Sequence, residues 1–176
     1  MPVDTPLHKA AHNGDLNQCK AQVEDEGADP NAAGAAERRP LHRAAGNNHV
    51  DICTYLIGKG AAVDQADKSG RTSLHWASIG GHKDAAEVLL TNGANIMAVT
   101  KTNMSVLHGA AEGGKVEFVR FILERAGDQK EALCNLKDND QKTPFDLAVS
   151  GKHKAVCTVL KELGDPNAQS GACVIC

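Results

Sequence analysis

Apolar residues in this chain recur in short helical runs between Gly- and Asn-rich breaks, and the same arrangement returns along its whole length. Leu7-His8, Leu41-His42, Leu74-His75 and Leu107-His108 stand 34, 33 and 33 residues apart, and each is followed two residues later by Ala. A degenerate copy opens at Phe145-Asp146, 38 residues after Leu107. In the third copy, Asp67-Lys-Ser-Gly70 has turn chemistry, Thr72-Ser-Leu-His75 opens a short helix that Gly80-Gly81 end, and a second helix is predicted from His82 to Thr91. Gly93 then suits the left-handed cap that stops a helix.

The second helices carry Ile52, Cys53, Leu56 and Ile57, then Ala85, Ala86, Leu89 and Leu90, then Phe118, Val119, Ile122 and Leu123. Their i, i+1, i+4, i+5 spacing is the inward stripe of an amphipathic helix. Two short antiparallel helices and a turn cannot cover their own apolar face, so such units must stack. Seven residues after each landmark come Gly14, Asn48, Gly81 and Gly114, where a left-handed backbone is easy for Gly and tolerable for Asn. Lys152 holds that place in the last copy, and the neighbouring Gly151 is expected to take the turn instead.

The segments Thr5-Pro-Leu-His-Lys-Ala-Ala11, Pro40-Leu-His-Arg-Ala-Ala45, Thr72-Ser-Leu-His-Trp-Ala77, Val106-Leu-His-Gly-Ala-Ala111 and Thr143-Pro-Phe-Asp-Leu-Ala148 each resemble the T-P-L-H-x-A signature of ankyrin repeats. The resemblance implies an all-α fold, an ankyrin-repeat solenoid of helix-turn-helix units with β-hairpin-like fingers. Five repeats are expected, at 1–35 (an N-terminal cap), 36–68, 69–101, 102–139 (with an insertion) and 140–167 (a C-terminal cap), followed by a flexible tail at 168–176. Gln18, Gln22 and Lys161 stand where other copies are apolar, which predicts a capped, complete array. The fourth copy has five residues more than its neighbours within 126–134, an extended helix end or a bulging loop.

Aromatics make up only 3% of the 176 residues, too few for one large core but enough for a stack of small units with tight, Ala-rich crossings. A net charge of −3 gives no basic footprint for nucleic acid. The N-terminus has neither the basic start nor the apolar run of a signal peptide, so a cytoplasmic location and reduced cysteines are expected. Cys19, Cys53 and Cys157 share one column of the repeat with Ala86 and Val119, a place for a small apolar side chain. No apolar stretch reaches the about 18 to 20 residues of a membrane span.

Four histidines at one repeat position lie a repeat apart rather than around a point, which argues against a metal site. The resemblance implies that they bond backbone groups in adjacent turns. His49, His82 and His153 open second helices as solvated or capping residues. None of the common phosphate-loop, dinucleotide, nucleophile-elbow or zinc-helix motifs is present, and Cys173-x-x-Cys176 has no second pair nearby, so neither catalysis nor a cofactor is expected.

The expected contact surface comprises the fingers and the exposed side of each first helix. Its candidate protein-binding residues are Arg43, Arg71, Trp76, Ile79 and Glu112, with Arg43, Trp76 and Ile79 as neighbours on adjacent units. Trp beside Arg is a composition favoured at binding hot spots. Packing of Trp76 on the next helix is the competing reading. Arg38, Arg39, Lys68, Arg71 and Lys101 at finger tips suggest a cationic edge that steers acidic partners, or simply solvated charge.

Cys173-Val-Ile-Cys176 matches the C-a-a-X pattern that a prenyltransferase reads, and 164–172 is a helix-breaking leash. Lipidation of Cys173 would give peripheral, reversible membrane association, because one lipid without a second signal anchors weakly. The expectation is a non-catalytic adaptor for protein partners of unstated identity, tethered through Cys173. The alternative is a fully soluble binder or inhibitor with an unmodified tail.

Overall fold

Thr5, Thr72, Ser105 and Thr143 open their helices in extended backbone, and the side chain three residues on folds back onto each of them. This closes a reciprocal box at the helix start and satisfies donors that a helix leaves unpaired. The computed structural model describes residues 3–163, so the Cys173 tail and the end of the 140–167 segment lie outside the described residues. The chain divides after Asn95 into two compact units, a point inside the predicted 69–101 segment.

The first unit holds three helix pairs: α1 (Pro6–Asn13) with α2 (Leu16–Lys20), α3 (Pro40–Ala45) with α4 (Val50–Gly58), and α5 (Ser73–Gly80) with α6 (Lys83–Thr91). A π-helical turn, Ala21–Asp25, prolongs α2. First helices pack on first helices (α1 on α3, α3 on α5), and second helices follow the same order. The second unit pairs α7 (Val106–Glu112) with α8 (Val116–Ala126), and α10 (Pro144–Ser150) with α11 (Lys154–Glu162). There α7 packs on α10 and α8 on α11.

Each landmark leucine is fully or almost fully buried, as are the alanines three and four residues on, except that Ser78 takes one of these buried places. Burying one such leucine contributes about 1.5–3 kcal/mol, and the alanines let helices approach closely. The cysteine column is uniformly buried: Cys19, Cys53 and Cys157 are outside any disulfide and occupy the place that Ala86 and Val119 hold in the other copies. Desolvation by burial, followed by nearby Asp carboxylates, pushes Cys19 up to about 11 and Cys53 up to about 12. These are packing residues, with the thiol held in its inert form.

One expectation needs correction. The turn of the last pair falls on Lys152 itself, at φ 59°, while Gly151 stays right-handed. Asn48 takes φ 60° at the same place and uses its side chain there, since its Oδ1 accepts Ala85 N–H at 3.1 Å. Of the two alternatives for the inserted residues, an extended helix end or a bulging loop, the structure takes the helical one. After the eleven-residue α8, a 3-10 turn at Gly127–Gln129 leads into a short α9 (Lys130–Asn135) that buries Leu133 and Cys134. Those two apolar residues explain why the segment folds back instead of bulging.

The fingers are turns rather than strands among the described residues, and one antiparallel bridge joins Val99 to Ser105. Asp67 and Asp138 hold two of them in the same way. Each Oδ1 accepts the N–H groups two and four residues on, at 2.8 and 3.0 Å for Asp67 and 2.9 Å for both bonds of Asp138. This is the local side-chain turn to which Asp is suited.

Candidate functional site

The landmark histidines bind helix to finger. Backbone N–H groups donate to His8 Nδ1 from Thr5 (3.2 Å), to His42 Nδ1 from Arg39 (2.8 Å) and to His108 Nδ1 from Ser105 (3.1 Å). An Nδ1 that accepts leaves the proton on Nε2, which donates to Arg38 O (3.0 Å), Arg71 O (3.1 Å) and Lys142 O (3.1 Å) respectively. The neutral ring is therefore the form the fold uses. Burial, its main cause, lowers the pKa of all three, that of His42 to about 4. Asp146 takes the histidine's place in the last pair, and its Oδ2 accepts Thr143 N–H and the Thr143 hydroxyl at 2.9 and 2.8 Å.

A second series went unrecognised in the sequence. His49 and His153 do not cap their helices with their side chains. His49 Nε2 donates to His12 O (3.0 Å) and His153 Nε2 to Glu112 O (2.8 Å), so each ring bridges to the preceding first helix. The signal was the Gly column, since a Cβ on Gly14 or Gly114 would strike the His49 or His153 ring. Among the described residues, no three His, Cys, Asp or Glu side chains gather where they could hold a metal ion. No helix there is long and apolar enough to cross a membrane.

The sequence-predicted contact residues occupy the first helices and fingers. Trp76, on α5, is half-buried, with its Cβ and ring edge against Gly46 at the end of α3. Its Nε1–H donates to Asp67 Oδ2 at 3.2 Å. Packing and exposure are thus combined in one side chain. Ile79, three residues further along α5, is 42% exposed, second only to Val3 among the large apolar residues described in the first unit. Arg71 lies in the finger before α5, with its guanidinium carbon 5.5 Å from the Trp76 ring centroid.

Arg43 differs from expectation. Its guanidinium is drawn to the Asp4 carboxylate, an ion pair whose other oxygen accepts Ala35 N–H at 2.8 Å, and the cations over Trp76 are Arg71 and Arg38. Arg38, 4.3 Å from the ring centroid, is the nearer of the two. In the second unit Glu112 is exposed at the end of α7, and its carbonyl is the acceptor for His153.

The family model described as ankyrin repeats (3 copies) matches residues 7–100 and 95–170. The chain belongs to the ankyrin-repeat family. Ankyrin repeats serve as protein-interaction modules, and the family is generally non-catalytic. A stretch of 61 residues is 43% identical to alpha-latrocrustotoxin-Lt1a of Latrodectus tredecimguttatus, covering 35% of this chain. The chain spans only 4% of that toxin's length, so the likeness is one of repeats.

Proposed function

We propose that the chain is a non-catalytic binding module whose contact face centres on α5 and its finger. Trp76, Ile79, Arg71 and Arg43 contribute to it from the first unit, and Glu112, on the second unit, is a candidate contact residue in its own right. The observation that supports this reading most is Trp76 itself, a half-buried indole fixed by packing and by its N–H bond to Asp67, three residues before exposed Ile79 on the same helix. A large aromatic held in one pose loses little entropy on binding, which is what makes such residues effective anchors. Affinity capture from cells, comparing the native chain with Trp76→Ala and Ile79→Ser, tests it. Partners retained equally by all three proteins would move the contact face elsewhere.

The same proposal includes a prenyl group on Cys173, in the sequence Cys173-Val-Ile-Cys176. The lipid would confine the binder to a surface and raise its effective concentration toward a membrane-resident partner without adding contacts. It requires Cys176 to be the terminal residue when a prenyltransferase meets the tail. Metabolic labelling with a prenyl analogue should mark the native chain and not Cys173→Ser. Absence of label from both would favour the second reading, a soluble binder with an unmodified tail.

A further inference from the structure

We infer that Arg38 and Arg71, mounted on Trp76, form a receiving clamp for an acidic peptide segment that carries an apolar side chain beside its carboxylate. The inference rests on the binding face just proposed and specifies the chemistry of its partner.

One buried carboxylate organises the cluster. Asp67, with a side chain 2% exposed, accepts Ser69 and Arg71 N–H on Oδ1 and the Trp76 indole N–H on Oδ2. Finger and ring therefore share one anchor. The neighbouring finger joins them, because Lys68 N–H donates to Ala36 O at 2.9 Å. Arg38 lies over the indole, and its Nε is 3.9 Å from the same Asp67 Oδ2, a long ionic contact.

Charge at this place is unbalanced. Residues 37–39 and 67–71 contain four cations, Arg38, Arg39, Lys68 and Arg71, against two acids, Glu37 and Asp67. Among the described residues, neither Arg39 nor Arg71 has a carboxylate within 4.0 Å. A guanidinium that rests its face on an indole keeps its in-plane N–H donors for a carboxylate, which it can grip with two parallel bonds.

The apolar half of the specificity comes from Ile79. It follows Trp76 by three residues on α5, so both side chains lie on one face of the helix. A free inorganic anion would use the cations and leave Ile79 without a role. A membrane surface would favour projecting, mobile cations, whereas the Arg38 side chain is recessed at 28% exposure against the ring. A narrow chain bearing an acid and an aliphatic or aromatic residue one or two positions apart matches both halves.

The test uses the full chain and a phage library of random dodecapeptides, with Arg38→Ala/Arg71→Ala as the counter-target. Far-UV circular dichroism and a urea midpoint establish that the variant is folded. Trp76 is the sole tryptophan, so its fluorescence reports occupancy directly. Enriched peptides should carry Asp or Glu within two residues of Leu, Ile or Phe and change Trp76 emission. They should lose about tenfold or more in affinity for the double variant, the cost of about 1.4 kcal/mol per factor of ten. Arg71→Lys should fall between, since it keeps charge without the planar fork.

Peptides that lack acids, or that bind the double variant equally, would overturn the clamp and leave the binding module standing. Failure to enrich any peptide would count against both. Sedimentation with phosphatidylserine vesicles that depends on Arg38 and Arg71, without acidic peptides, would overturn the inference in favour of lipid.

Discussion

Acid should dismantle this fold through its histidines, and His42 permits the effect to be sized. The ring is 2% exposed, accepts Arg39 N–H on Nδ1 and donates from Nε2 to Arg71 O. Protonation removes the acceptor and places a charge in the interior. With a folded value of about 4 against 6.5 in the open chain, the neutral ring contributes its full stabilisation above pH 6.5. That contribution is lost as pH falls from 6.5 through 4, because the unfolded chain takes up the proton first. Each unit of displacement is worth about 1.4 kcal/mol, so His42 accounts for about 3 kcal/mol, nearly all gone by pH 4. Lowered values at His8 and His108 act in the same direction.

Urea unfolding followed by circular dichroism, at a series of pH values between about 7.5 and 4.5, reads the slope. His42→Gln supplies the control, since a glutamine amide can still donate to Arg71 O but does not titrate. The variant should start less stable at neutral pH and lose less on acidification, by about 2–3 kcal/mol across the range. Equal losses in the two proteins, or stability that rises as pH falls, would refute the neutral-ring reasoning.

Gly14→Ala should destabilise far more than Gly93→Ala. Both sites have positive φ, but a Cβ on Gly14 would stand 2.6 Å from the His49 ring and one on Gly93 meets nothing within 4 Å. About 1 kcal/mol is expected at Gly93 and about 2–3 kcal/mol at Gly14, where the His49 bond is also disturbed, measured by chemical denaturation. Lys152→Gly should raise stability by up to about 1 kcal/mol in the same assay, since it relieves the left-handed lysine. Cys19, Cys53, Cys134 and Cys157 should resist a thiol reagent at about pH 8 in the native protein and react once urea unfolds it. Rapid native labelling at Cys53 would contradict its burial.

What could be read in the sequence was local and periodic. The helix pairs, the buried leucines and the cysteine column follow from spacings of a few residues, because helix geometry converts spacing directly into a face. What escaped it depends on where a finger points. Arg38 precedes Trp76 by 38 residues, yet finger geometry carries it to the indole, while Arg43, two places after the landmark like Trp76, is captured by Asp4. Asp67 was visible as a turn former, but its second oxygen's bond to the indole was not. Lys152 misled because a free choice of residue favours Gly in a left-handed turn, whereas the position is set by its place in the helix junction. The apolar Leu133 and Cys134 were the available sign that the insertion would fold inward.

The most direct measurement places a photo-cross-linking amino acid at Ile79 on α5 and, separately, at Thr54 on the outer side of α4, both exposed. After irradiation in cells, discrete protein adducts should form from position 79 and not from position 54. Adducts from position 54 alone would contradict a contact face on the first helices and fingers.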